Sequence, residues 1–387
     1  MLRKPRQIAV LVETDYSWGC SVVRGIADYA DKHGHWNLLI DPRDHEHRLA
    51  LPERWSGDGI VARISTRVQV DQIRRKKVPM VDVDDLFEDL TGVGRVITDD
   101  AERATLALSH LRNRGFTRFA YFSPPDRRYT NKREQEFSAA VKEIGAELYL
   151  YKPGYRAGRK ISWDERQRRV SRWLSSLPKP IGVFAVDAQY GRQLTEVCYW
   201  NDVRVPDEVA ILAGDTDDLM CDVSSPPLSS VSLASHRIGH DAAALLDRMM
   251  DGESAPTAPI RISPIGVTGR QSTDILSIDD EYVVNALRFI QKRATQGIIV
   301  DDILAEVPVS RRSLEIQFRR ILGRSPAEEI RRVRLEKGKS LLGRSELSIA
   351  EVAVASGFAN STRFGVAFRK KFGMTPLAFR KQLLHSQ

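Results

Sequence analysis

The stretch VDDILAEVPVSRRSLEIQFRR, residues 300–320, and its echo LSIAEVAVASGFANSTRFGVAF, residues 347–368, decide the architecture of the last third of the chain. In the first, Ile303, Leu304 and Val307 recur at helical spacing and form the inner face of a short helix. Val309 bridges a turn, and Ser310 is a natural N-cap for a second helix. Leu314, Phe318 and Ile321 then point inward at spacings of four and three. Arg311, Arg312 and Glu315 are left outward near the helix start, the end that meets base edges in a major groove. The second stretch repeats the plan. Ser348 and Glu351 form a capping-box pair, and Gly357 supplies the tight turn. Asn360, Ser361, Thr362 and Arg363 occupy the exposed start of the next helix, while Phe364 and Phe368 point inward. Between the two units, residues 327–342 read as one helix long enough to hold both at a set spacing.

Charge follows the same boundary. Residues 279–387 carry 20 Lys or Arg against 12 Asp or Glu, and the whole chain carries 59 against 51. The entire excess of +8 therefore sits in the helical tail, and the preceding 278 residues balance to zero. A neutral body with a compact basic tail implies one part that senses and one that grips a polyanion, here double-stranded DNA.

Residues 1–267 alternate short β-rich runs with helical stretches. Strands are predicted at 8–12, 37–40, 59–64, 79–83, 95–98, 119–122, 148–151, 181–186, 209–213 and 260–267. Helices are predicted at 21–32, 101–114, 133–144, 165–177, 189–200 and 235–251. That rhythm means a doubly wound α/β architecture, and so many units divide into two lobes. Residues 268–280 are rich in Gly, Ser, Thr and Asp and read as a linker, and residues 281–387 read as all-α.

Polar groups just after strand ends mark a candidate cleft: Asp15 and Tyr16, Asp99 and Asp100, Asp187, and Asp215. Carboxylates accept paired hydrogen bonds from vicinal hydroxyls, so several converging on one cleft suit a sugar. Asp99 and Asp187 also precede helices, where an N-cap role competes evenly. No Gly-rich phosphate loop, nucleophile elbow or HExxH pattern is present, so neither an enzyme nor a cofactor is expected. His45-Glu46-His47 reads as a polar loop and not as a metal site. Cys20, Cys198 and Cys221 are few and widely spaced, as in a reducing cytoplasm. No apolar run approaches the roughly 20 residues of a membrane span, and the amino terminus lacks the pattern of a signal peptide.

The helical tail resembles the AraC/XylS type of DNA-binding domain. The resemblance runs through Ser310, Leu314, Phe318, Gly323-Arg-Ser-Pro326, Arg334-Leu335, Leu341-Leu342, Ile349, Val352-Ala353, Gly357-Phe358, Phe364, Phe368, Phe372-Gly-Met-Thr-Pro376 and Phe379-Arg380. Gly338 stands where that family usually has Ala. The resemblance implies two recognition helices in successive major-groove segments. Arg311, Arg312 and Glu315 would read bases from the first, and Asn360, Ser361, Thr362 and Arg363 from the second. Arg319, Arg320, Lys370 and Lys371 would hold phosphates. For Arg331, Arg332 and Arg334 a plain solvated or structural role is favoured.

The neutral part resembles the periplasmic-binding-protein-like (type I) effector domain of LacI/GalR regulators. The residues that carry this are Arg133-Glu-Gln-Glu-Phe137, Phe184-Ala-Val-Asp187, Val205-Pro-Asp-Glu-Val209, Ile211-Leu-Ala-Gly-Asp215 and Pro226-Pro-Leu-Ser-Ser-Val231. The resemblance implicates Arg133, Asp187 and Asp215 in ligand contact. Asp187 departs from the Asn common at its position. An effector domain of this type followed by an AraC-type reader resembles the family of xylose operon activators over the whole length, and Val96-Ile-Thr-Asp99 and Arg270-Gln-Ser-Thr-Asp274 strengthen that resemblance. It implies a cytoplasmic, homodimeric transcriptional regulator with DNA, RNA polymerase and a monosaccharide, D-xylose, as partners. A repressor, a different sugar, or an enzyme fused to a DNA reader are the alternatives.

Overall fold

A computed structural model describes residues 5–33, 36–44, 48–84, 86–87, 90–123, 128–152, 161–275, 280–344 and 347–384. His45-Glu46-His47 and residues 276–279 of the linker stretch lie outside the described residues.

The described residues up to 275 build two lobes, each around a six-stranded sheet. The first lobe uses β1 (Gln7–Leu11), α1 (Ser17–His33), β2 (Asn37–Ile40), β3 (Gly59–Ala62), α2 (Arg67–Arg74), β4 (Met80–Asp82) and β5 (Gly94–Thr98). The second begins with α3 (Asp100–Arg112) and continues through β6 (Arg118–Phe122), α4 (Arg128–Glu143), β7 (Glu147–Leu150), α5 (Trp163–Ser176), β8 (Ile181–Ala185), α6 (Ala188–Trp200), β9 (Val209–Ala213), α7 (Asp218–Val223) and β10 (Ser229–Ser232). The chain then returns to the first lobe for α8 (Ser235–Met250) and β11 (Ile260–Ile262), and crosses once more to place β12 (Gly266–Thr268) in the second. The sheet orders are β11-β5-β4-β3-β1-β2 and β12-β10-β9-β8-β6-β7. All pairings are parallel except β10 with β12. Three chain crossings between two sheets give a hinged clamp, with the strand carboxyl ends of both lobes facing one cleft.

The run 260–267, read from sequence as one strand, is thus two strands serving different sheets, split around Pro264. Two short helices, α2 and α7, and strand β10 were not anticipated.

The central strands are buried because both sheet faces carry helices, which is why β8 and β9 read as unbroken apolar runs and are buried at every position. Val10, Val61 and Val81 pack with Ile26, Ile238 and Leu245 in the first lobe. Phe119, Phe137, Phe184 and Leu212 form one core of the second, joined by Leu108 and Leu111 of α3.

Beyond residue 280 the described chain is helical: α9 (Glu281–Arg293), α10 (Val300–Glu306), α11 (Arg311–Leu322), α12 (Pro326–Arg344), α13 (Ile349–Ala355), α14 (Ser361–Phe372) and α15 (Pro376–Leu384). Two cores form, one on Ile303, Leu314 and Phe318, the other on Val352, Phe364 and Phe368. Each buried Phe contributes about 1.5–3 kcal/mol. The helix α12 feeds both cores, with Ile330 in the first and Leu335 and Leu342 in the second. Arg334 donates to Ala294 O and Ile298 O at 2.7 Å each, tying α12 to the connection between α9 and α10. Glu329 is fully buried on α12 between Arg324 and Arg332. Burial works against its ionisation, but hydrogen bonds and charge from Arg332 and Arg324 outweigh it and hold the carboxyl below the usual range. Arg332 and Arg334 therefore serve the fold.

The linker stretch is anchored at its root. Ser272 and Thr273 are fully buried. Ser272 Oγ donates to Ile211 O at 2.6 Å and accepts from Ser229 N at 2.8 Å, and Thr273 Oγ1 lies 2.7 Å from Ser229 Oγ.

Candidate functional site

The cleft between the lobes is an open space of about 1070 Å³, mouth included. Its walls come from both lobes. Glu13, Tyr16, Trp18, Arg63 and Asp84 line it from the first, and Asp100, Arg103, Arg133, Asp187, Asp215 and Asp217 from the second.

Helix starts after the strands position the second-lobe groups. Asp187 caps α6, its Oδ1 accepting from Tyr190 N at 2.9 Å, and Asp215 Oδ1 accepts from Ala188 N at 2.9 Å. Arg133 reaches in from α4 and donates to Val186 O at 3.2 Å. Its Nε lies 3.8 Å from Asp100, which also pairs with Arg103 at 3.1 Å. On the other wall, Arg63 donates to Asp84 at 2.9 Å, lies 3.5 Å from Glu13, and stands 5.1 Å from the Trp18 ring centre. Asp84 and Glu13 thus orient a guanidinium that in turn fixes the indole. Asp217 of the second lobe accepts from both Ser17 N and Ser17 Oγ of the first, a contact that joins the two lobes.

The cleft therefore brings together Tyr16, Asp100, Arg133, Asp187 and Asp215 of the candidates read from sequence. It does not include Asp15 or Asp99. Asp15 is turned outward into an ion pair with Arg43 at 2.8 Å, and Asp99 is spent as the N-cap of α3, accepting from Glu102 N at 3.0 Å. Asp100, one residue on, takes the cleft position instead. Glu13, Trp18, Arg63, Asp84, Arg103 and Asp217 were missed. The rule that pointed to Asp187 and Asp215, polar groups directly after strand ends, applies equally to Glu13, Arg63 and Asp84.

In the helical module, Ser310 caps α11, accepting from Ser313 N at 3.2 Å, and Asn360 caps α14, its Oδ1 accepting from Arg363 N at 2.9 Å. The carbonyl of Asn360 thus serves the helix while its amide group is left to donate. Arg312, Arg319, Ser361, Thr362, Arg363 and Lys370 are exposed, and Glu315 is half-buried. Arg311 is exposed but paired with Asp301 of α10. The turn of the second unit needs glycine twice over. Gly357 has φ +83°, and a Cβ there would sit 2.7 Å from Ala294 O.

Three family models match in series. A XylR N-terminal domain matches residues 7–99, a periplasmic binding protein-like domain matches 108–273, and a helix-turn-helix domain matches 303–382. The xylose operon regulatory protein of Escherichia coli (strain K12) is 30% identical over 98% of both chains. The chain belongs to the xylose operon regulator family. The namesake of Haemophilus influenzae is 28% identical over 97% of this chain and 98% of that protein. A solved structure of the xylose-binding transcription activator XylR is 29% identical, covers 98% of this chain and 99% of its own, and superposes with a TM-score of 0.62. A LacI transcriptional regulator from a Rhodococcus species covers 70% of this chain and 99% of its own, at 18% identity and a TM-score of 0.57, and shares the two-lobed fold. The family places a DNA-binding helical module behind a periplasmic-binding-protein-like sensor, the order found here. Among the described residues, no helix is long and apolar enough to cross a membrane.

Proposed function

We propose that this protein is a D-xylose-responsive, DNA-binding activator of xylose catabolism genes. Residues 1–267 act as the sensor and 281–387 as the reader, and the protein works as a cytoplasmic homodimer that recruits RNA polymerase. The observation that carries the sugar reading is the cleft's charge pattern. Six carboxylates, Glu13, Asp84, Asp100, Asp187, Asp215 and Asp217, face three guanidiniums, Arg63, Arg103 and Arg133. That surplus of acceptors suits a neutral polyol rich in hydroxyl donors and disfavours an anion. Trp18 adds an apolar plate for a pyranose face. Tyr16, Asp100, Arg133, Asp187 and Asp215 are the ligand contacts this reading shares with the sequence.

Sugar closes the lobes and thereby shifts the reader towards its DNA-competent arrangement, by no more than its differential affinity for the closed form. The DNA contacts would come from the starts of α11 and α14, through Arg311, Arg312, Glu315 and Asn360–Arg363, with Arg319 and Lys370 on phosphates. Calorimetry with D-xylose, L-arabinose, D-ribose and D-glucose, followed by footprinting on xylose-gene promoter DNA, tests the proposal. D-xylose should bind tightest and strengthen a specific footprint. Absence of binding by all four sugars would refute the sensor, and uniform, salt-sensitive DNA coating without a footprint would refute the reader.

A further inference from the structure

Arg103 is only 1% exposed, yet its Nε and Nη1 reach no hydrogen-bond acceptor among the described residues. Its Nη2 lies 3.1 Å from Asp100, so one edge of the guanidinium is paired, while the side chain lines the cleft. A buried guanidinium with unpaired N–H groups is costly unless an acceptor arrives. A sugar oxygen in the cleft is such an acceptor.

Arg103 belongs to the first turn of α3, which is 13 residues long and so spans about 20 Å. Its far end meets the root of the linker. His110 Nε2 lies 2.8 Å from Thr273 Oγ1, and Arg114 donates to Thr273 O and to His110 O. Thr273 is locked by Ser229, so the last residues before the reader are held between β10 and α3.

Charges on α3 and just beyond its end act on the α12 region of the reader. Lys339 feels the charge of Glu102, Arg324 that of Arg112, and Arg114 that of Arg332 and Glu329. Two of these cross-domain relations oppose like charges, and the other two pair opposite ones. On the reader's side, Lys339 Nζ sits 5.3 Å from the Phe372 ring centre and 5.7 Å from that of Phe379. Phe372 ends the second recognition helix, α14.

We propose that α3 carries sugar occupancy to the DNA reader. Arg103 is a direct sugar contact, and His110 and Arg114 are positioning residues that couple α3 to the linker root and to α12. This rests on the reading of the cleft as a sugar site. Sugar that engages Arg103 draws the start of α3 towards the cleft, and the rigid helix shifts its other end against Thr273 and Glu329. The coupling is reciprocal, so operator DNA must raise sugar affinity through the same helix.

The test uses the full-length chain as wild type, Arg103→Met, Arg114→Ala and Arg114→Lys. Two quantities are measured: the D-xylose Kd by calorimetry, and the Kd for a duplex carrying the wild-type footprint, with and without saturating D-xylose. Arg103→Met should weaken D-xylose by about tenfold or more, the loss of a charge-assisted contact. Arg114→Ala should keep the sugar Kd and the sugar-free DNA Kd within about threefold, while the sugar-dependent gain in DNA affinity falls from the roughly 5- to 150-fold range of allosteric couplings towards one. Arg114→Lys should restore part of that gain. Arg103→Met binding sugar as wild type does, or Arg114→Ala keeping the full gain, overturns the proposal. Should Arg114→Ala fail to fold, amide exchange on the wild type decides. D-xylose must change protection in the last turns of α3, in 271–275 and in the first turns of α12, and no change there overturns the relay. Wild-type protein that binds no pentose defeats the sugar reading itself, a result distinct from any of these.

Discussion

Asp217, which opens α7 in the second lobe, accepts from Ser17 N at 3.2 Å and from Ser17 Oγ at 3.0 Å across the mouth of the cleft. Its other oxygen accepts from Met220 N at 3.0 Å, so a helix cap and an interlobe latch share one carboxylate. Burial opposes its ionisation, but the hydrogen bonds from Met220 and Ser17 prevail and hold it below the usual carboxylate range. The Ser17→Ala variant keeps the cap and loses the hydroxyl arm of the latch. A hydrogen bond to a charged group is worth about 1.5–3 kcal/mol net, so the closed form should weaken and the D-xylose Kd rise about tenfold or more. Calorimetry checks this, and an unchanged Kd would show that the latch does not contribute to closure.

Asp187 combines two roles that separate variants can tell apart. Asn is as good an N-cap as Asp, so Asp187→Asn should leave the unfolding free energy within about 0.5 kcal/mol of wild type. The same variant exchanges a carboxylate acceptor for a mixed donor and acceptor, and should weaken D-xylose about tenfold. Asp187→Ala loses both, with about 1 kcal/mol of stability gone as well. If Asp187→Asn bound sugar normally, the residue would be a cap alone.

The contrast between Asp99 and Asp100 shows where the sequence stops speaking. Both follow β5, and either could face the cleft. Each step along a helix turns the side chain by about 100°, so adjacent residues face different neighbours. Which of the two becomes the cap depends on the exit angle of β5, a property of the whole sheet. Asp187 and Asp215 were legible because each is the first polar group after a buried strand. The recognition helices were legible because capping residues, inward aromatics and charge all agree there. The capping box that opens α2, Thr66 with Gln69, is a readable signal that the eight-residue helix makes easy to pass over. Arg103 was illegible for a different reason. An arginine on an amphipathic helix reads as surface until the second lobe is folded over it.

The reader's contacts divide into specific and general. Arg363 stands exposed in the first turn of α14, and Lys370 stands exposed in its last. Arg363→Ala should cost about 1–3 kcal/mol on the preferred site and relax preference at one base position. Lys370→Ala should weaken every duplex alike and lower the salt slope by about one. Binding isotherms on matched and mismatched duplexes at several salt concentrations distinguish the two patterns, and an identical pattern for both variants would remove Arg363 from base reading.

Gly338 replaces the Ala usual in AraC-type domains, and its surroundings say why. A Cβ there would sit 2.6 Å from Cε2 of Phe364 and 3.2 Å from Ser356 Oγ. Phe364 is fully buried on α14, so its ring has little room to retreat. Gly338→Ala gains up to about 1 kcal/mol of helix propensity but overpacks a contact at about 1–3 kcal/mol. The second outweighs the first, and the domain should lose about 1 kcal/mol with a lower melting temperature. A stabilised variant would mean that the second core yields more easily than its packing indicates.

His110, on α3 against the linker root, sets the response to acid. Burial first, then the charges of Arg114 and Arg332, hold its imidazole well below its ordinary pKa of 6.5. The folded protein therefore keeps His110 neutral, while the unfolded chain takes up a proton near 6.5. Stability from this group is complete above that value and is lost as the pH falls through it, with a slope of up to about 1.4 kcal/mol per pH unit. His110→Asn removes the titration and keeps a side chain able to bond Thr273. Melting curves at about pH 7.5 and about pH 5.5 should show wild type losing more stability than the variant between the two. The neutral ring matters because a charged one would be a third cation beside Arg114 and Arg332, and would push α12 away from α3. Mild acid should thus loosen the sensor from the reader before it unfolds either lobe, and the sugar-dependent gain in DNA affinity should fall at about pH 5.5 in wild type. Equal pH slopes in wild type and His110→Asn would show that the imidazole is not held neutral at this junction.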